Sequence, residues 1–122
     1  MNLAPTLAPT TLDSIMAEMP AWGTEFAKTY ANHAPMVLVA LDRIGGSGQR
    51  LRDFFEHYRD YKQLFPAGPT IAPITRDTWQ AAIGHRDREA DLRVFFAAEV
   101  EALGIDAALR TYLPTLAPYV GT

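Results

Sequence analysis

The chain has 122 residues, 48% of them apolar and 20% charged, with a net charge of −3 and no cysteine. A chain of this length buries enough surface for one self-supporting domain. The lack of cysteine excludes a disulfide framework, a thiolate nucleophile and a zinc–thiolate centre. The acidic balance argues against nucleic acid, which calls for a basic face. The longest apolar run, Met36 to Leu41, is far short of the ~20 residues of a membrane span. No basic-then-apolar secretory leader opens the chain, so a cytoplasmic location is expected.

Residues 1–10 carry Leu-Ala-Pro-Thr twice, at Leu3 and Leu7. Two prolines so close together disfavour helix and strand alike. A disordered leader is expected there, ahead of a helical domain over 11–122. From Thr11, the helical spacing of Leu12, Ile15, Met16 and Met19 predicts a short amphipathic helix, ended by Pro20. Trp22, Phe26 and Tyr30 lie four apart and fit one aromatic helix face at the edge of the core.

The most apolar stretch runs from Asn32 to Gly45. Asn32 is suited to cap a helix, Pro35 to sit in its first turn, and Gly45 to stop it. His33, Met36, Val37, Ala40, Leu41 and Ile44 form one stripe, and Leu38 and Val39 widen it almost all round. Such a helix is expected to be central and buried, carrying His33 inward at its first turn. A buried imidazole needs partners for its ring nitrogens. A satisfied core histidine is favoured over a metal ligand, because one histidine does not make a site.

Gly45-Gly46-Ser47-Gly48 invites a phosphate-loop reading, but no Lys-Ser or Lys-Thr follows and the loop succeeds a helix rather than a strand. A tight helix–helix connection is expected instead, with Ser47 as the next cap. The following helix, 48–63, places Leu51, Phe54, Phe55, Tyr58 and Tyr61 on its buried face and His57 on the solvated border. Pro66, Gly68, Pro69 and Pro73 make 65–75 an extended crossing segment. Asp77 then caps a short helix with Trp79, Ala82 and Ile83, closed by Gly84. His85 and the charged run Arg86-Asp87-Arg88-Glu89 are solvated. The next helix buries Leu92, Phe95, Phe96, Val100 and Leu103 and ends at Gly104. A last helix, capped by Asp106 with Leu109, Tyr112 and Leu113, is terminated by Pro114. The chain is therefore expected to be all-α, about five helices in a compact irregular bundle with one Pro-rich crossover.

Local metal signatures are absent, since the three histidines lie far apart in sequence. No nucleophile elbow is present, and no pair of inward-turned carboxylates is apparent.

Asn32-His33-Ala34-Pro35-Met36, Ala40-Leu41, the Gly45 stop, Phe54-Phe55 and Tyr58 resemble the N-terminal region of the questin oxidase family. Trp79, Gly84, Phe95-Phe96, Gly104, Leu109 and Tyr112-Leu113-Pro114 agree in order, so the resemblance extends from about Leu12 to Pro118. It implies a mostly helical oxidoreductase of polyketide metabolism that opens the ring of anthraquinone-type aromatics, with NADPH dependence in some members. One branch is understood as non-haem-iron oxygenases whose metal is held by several histidines and a modified lysine, and His33 corresponds to the first of these. Family proteins are longer, and the other ligand segments lie beyond the end of this chain. The resemblance thus implies a fragment or subunit with an incomplete site, completed by a complementary subunit, and acting on a hydrophobic aromatic molecule. The alternative is a non-catalytic helical module that binds a hydrophobic small molecule or a partner protein, or forms a homodimer.

Overall fold

A computed structural model describes residues 10–26 and 30–119, so residues 1–9 of the expected leader, 1–10, lie outside the described residues, and its last residue, Thr10, caps the first helix. The chain divides into two compact units, Met1–Ala67 and Gly68–Thr122. The boundary falls inside the proline-rich segment.

The first unit begins with α1, Thr11–Met16, opened by a capping box. The Asp13 N–H donates to Thr10 Oγ1, and the Thr10 N–H donates to the Asp13 carboxylate, so two orphan donors of the first turn are satisfied. These bonds also hold the Asp13 carboxyl below its usual range, the Thr10 N–H contributing most. Pro20 sits in a 3-10 turn, Met19–Ala21. The aromatic stretch that follows is not helical in its described residues. It contributes β1, Glu25–Phe26, and β2, Tyr30–Ala31, paired antiparallel with Glu25 opposite Ala31 and Phe26 opposite Tyr30. The partner of Phe26 is decided across the strands and across to Tyr58, whose ring meets it edge-on at 6.3 Å. Local four-residue spacing could not reveal that.

Helix α2, Ala34–Arg43, starts and stops close to where its signals lie. Asn32 Oδ1 accepts the Ala34 N–H at 3.0 Å, and Gly45 takes φ +92° after the last turn. Its buried residues are Ala34 and Leu38, with Leu41 half-buried. The predicted stripe is therefore rotated outward: Met36 is 64% and Ile44 81% exposed, and the helix is not central.

Helix α3, Gly48–Lys62, is capped by Ser47, whose hydroxyl accepts the Arg50 N–H at 3.1 Å. Leu51 and Phe55 are buried, whereas Tyr61 is exposed and stacks on the solvated His57. The glycine loop owes its composition to packing. A Cβ at Gly46 would lie 2.8 Å from the Leu41 carbonyl oxygen, and one at Gly48 would overlap Thr11 of α1. Close approach of α1 and α3 encloses Ile15, Leu38, Leu51 and Phe55, the four largest fully buried side chains.

In the second unit, Trp79–Ala82 forms a 3-10 turn. It is prepared by Thr75 and Thr78 hydroxyls rather than by an Asp77 cap: Thr78 Oγ1 accepts the Thr75 N–H, and Thr75 Oγ1 accepts the Asp77 N–H. His85 is exposed, as expected. A second 3-10 turn, Arg86–Arg88, leads into α4, Glu89–Leu103. Gly104, at φ +83°, passes the chain to α5, Ile105–Leu116. Pro114 lies inside α5 and does not end it. Its missing N–H falls in the final turn, and the helix closes with the Ala117 N–H on the Leu113 carbonyl. The core is aromatic: Tyr112 meets Trp79, Phe95 and Phe96 edge-to-face at 5.2, 5.8 and 5.3 Å, a favoured ring geometry.

Among the described residues, the five α-helices and one two-stranded pair make a predominantly helical protein.

Candidate functional site

His33 is not carried into a core. It occupies the position before the first turn of α2 and is exposed. Its backbone N–H donates to the Tyr58 hydroxyl at 3.0 Å, and its imidazole makes no hydrogen bond among the described residues. Fixing the main chain here requires only that bond and the Asn32 cap, so the side chain is left to solvent. The physical reason for the miss is the rotation of α2. Once Ala34, Leu38 and Leu41 face inward, position 33 falls off the buried arc.

The described residues contain no group of three or more histidine, cysteine, aspartate or glutamate side chains that could hold a metal ion. A non-haem iron needs at least three such donors with room for oxygen. The residues described in this chain do not fit iron by themselves.

The polar groups that the fold does gather lie in the second unit. Asp91, Phe95 and Glu99 follow one another at four-residue spacing on α4 and are all buried, Asp91 at 4% and Glu99 at 8% exposure. Burying a carboxylate is costly unless it is paired and hydrogen-bonded, and both are. Asp91 accepts the Ile71 and Ala72 N–H groups at 2.9 and 3.3 Å and Arg88 Nε at 2.7 Å. Arg88 also donates to the Ala72 carbonyl at 3.2 Å. Glu99 accepts Arg76 Nε on both oxygens, at 3.1 and 3.0 Å, and the Tyr112 hydroxyl at 2.6 Å. The extended segment at 70–76 is thereby fastened to α4 at two points.

The electrostatics follow from these bonds. Burial pushes the Asp91 carboxyl up, but Arg88 and the two backbone N–H groups outweigh it and hold it below the usual range. For Glu99 the Tyr112 hydroxyl is the largest influence and lowers its pKa; with Arg76 it overcomes burial. Burial first, and then the neighbouring Glu99, push the Tyr112 phenol up. At neutral pH the arrangement is two ionised carboxylates and a protonated tyrosine. It can anchor and recognise, and it offers no protonated carboxyl to act as a general acid.

Two hollows border this network. A groove of about 450 Å³ runs between residues 70–76 and α4, and a second hollow of about 450 Å³ lies beside Trp79, Gln80, Thr111 and Tyr112. Arg76 and Glu99 line both. The sequence expectation that no inward carboxylate pair exists is therefore corrected. The available signal was the spacing of Asp91 and Glu99, each four residues from Phe95, in place of the arc through Val100 and Leu103, which are 40% and 36% exposed.

No helix among the described residues is long and apolar enough to cross a membrane. A family described as questin oxidase-like matches residues 30–118, from β2 to the end of α5 and just beyond. No curated protein and no solved structure matches the chain.

Proposed function

Because the chain belongs to the questin oxidase-like family, we propose that it is one part of an oxidoreductase whose reactive centre is completed by further polypeptide. The family match carries this reading. One observation supports a shared centre: the described side chains gather too few donors for a metal. The exposed His33 imidazole at the head of α2 departs from the inward placement expected of a metal donor and does not add to that support. In this reading His33 is the donor this chain brings, and an aromatic polyketide-type substrate is bound at the joint surface. A second reading, a non-catalytic helical module, draws on the exposed row of Ile105, Leu109 and Leu113 along α5, at 67%, 48% and 50% exposure. Such a row is what a partner surface would cover.

The two readings separate by metal analysis. The chain is purified alone and together with a candidate complementary polypeptide, and iron and oxygen consumption with an anthraquinone are measured. The oxidoreductase reading expects iron in the pair, lost in His33→Ala. Iron content and activity unaffected by His33→Ala remove His33 from the centre. A pair that binds neither iron nor anthraquinone leaves the helical-module reading.

A further inference from the structure

The groove between residues 70–76 and α4 has walls that packing does not explain. Ile71 and Val94 are 60% and 62% exposed across it, with Ile74, Phe95 and Ala98 completing the apolar lining. Its width is held by polar fastenings, Asp91 to the Ile71 and Ala72 backbone and Glu99 to Arg76. The segment is thus fixed in place with an open apolar channel beside it. Its volume, about 450 Å³, is within the range of small-molecule sites.

Arg76 marks one end of this channel. It holds Glu99 through Nε alone, on both carboxylate oxygens, and its side chain is 63% exposed. The guanidinium presents five N–H donors. Besides Glu99 the guanidinium also meets the Tyr112 hydroxyl, and no further partner engages its terminal nitrogens among the described residues. A guanidinium is planar and can serve one carboxylate along its Nε edge and a second along its outer edge. An incoming amine is disfavoured, because the Glu99 oxygens are already taken by Arg76 and Tyr112 and the Asp91 oxygens by Arg88 and two backbone N–H groups.

We propose that this groove binds a small amphipathic monoanion, its carboxylate on the terminal nitrogens of Arg76 and its hydrophobic body against Ile71, Val94 and Ala98. The inference stands on the second unit and does not depend on the family reading. Arg88 balances Asp91, and Arg76 balances Glu99. The ligand therefore adds one uncompensated charge at an exposed mouth, and binding is modest.

The test titrates the full chain with 2-naphthoate, decanoate and neutral 2-naphthamide, followed by amide chemical-shift changes. At least one acid is expected to bind about tenfold more tightly than the amide, with shifts centred on 70–76 and α4. Binding of naphthoate alone assigns an aromatic acid, and binding of decanoate alone an alkyl acid. Ala98→Phe, at an exposed helix position, fills the channel without touching either carboxylate and is expected to weaken acid binding about tenfold. Arg76→Lys keeps a charge opposite Glu99 but lacks the second edge, and is expected to do the same. Failure of both acids to bind, equal binding of acid and amide, or unchanged binding in either Ala98→Phe or Arg76→Lys overturns the proposal.

Discussion

Replacing Gly48 by alanine sets two effects of opposite sign against each other. Gly48 is the first residue of α3, and glycine in a helix interior costs about 0.8 to 1.0 kcal/mol relative to alanine. Propensity alone therefore predicts a more stable protein, by less than that figure in a first turn. The structure predicts the reverse. A Cβ at Gly48 would overlap Thr11 Oγ1, lie 3.0 Å from Thr11 Cβ and 3.4 Å from its Cγ2. Rotating the threonine moves the hydroxyl but leaves its Cβ in place, so α1 and α3 must separate. Overpacking of this kind costs typically about 1 to 3 kcal/mol, and the net expected loss is about 1 to 2 kcal/mol. For a domain of this size each kcal/mol lowers Tm by roughly 4 to 8 °C. The assay is thermal and urea unfolding of Gly48→Ala in the natural background and in Thr11→Gly. The penalty should be present in the first and largely gone in the second. A higher Tm for Gly48→Ala, or an equal effect in both backgrounds, refutes the close approach of α1 and α3.

Further expectations concern each unit in turn. Phe55→Ala should destabilise by about 3 to 5 kcal/mol, since the ring is fully buried. Tyr61→Ala on the same helix should change stability by no more than about 0.5 kcal/mol in urea titrations, its ring being 73% exposed. His33→Ala should likewise fall within about 0.5 kcal/mol, because only the backbone of residue 33 is used. Asp91 and Glu99 have folded-state pKa values below their ordinary ones. Their stabilisation is therefore present above the unfolded carboxylate range and is lost as pH falls through the folded values. The urea midpoint should hold from pH 7 to about 5 and decline below about 4. Tyr112→Phe removes the largest influence lowering Glu99, so it should reduce the neutral-pH midpoint and make the acid decline shallower. A decline of unchanged slope would show that the Tyr112 hydroxyl does not hold Glu99 ionised.

Helix existence and most helix ends follow from the amino-acid order, because caps and stops act within one turn. Ser47 opens α3, Asn32 caps the first turn of α2, and Gly45 and Gly104 take the left-handed turns that follow α2 and α4, whereas Thr10, read as leader, caps α1 through its bonds with Asp13. The exposed settings of His57 and His85 follow from their flanking charges in the same way. Which arc of each helix turns inward does not. In α2 the apolar arc is wider than the contact it makes, so sequence pattern admits several rotations, and only the packing against α1 and α3 selects Ala34, Leu38 and Leu41 and leaves His33 in water. In α4, Asp91 and Glu99 look like solvent-facing acids until Ile71, Ala72, Arg76 and Tyr112 arrive from 13 to 23 residues away to satisfy them. A buried charge is stable only in company. Apart from Arg88, three residues before Asp91, that company is assembled by tertiary folding, through bonds that no local spacing encodes.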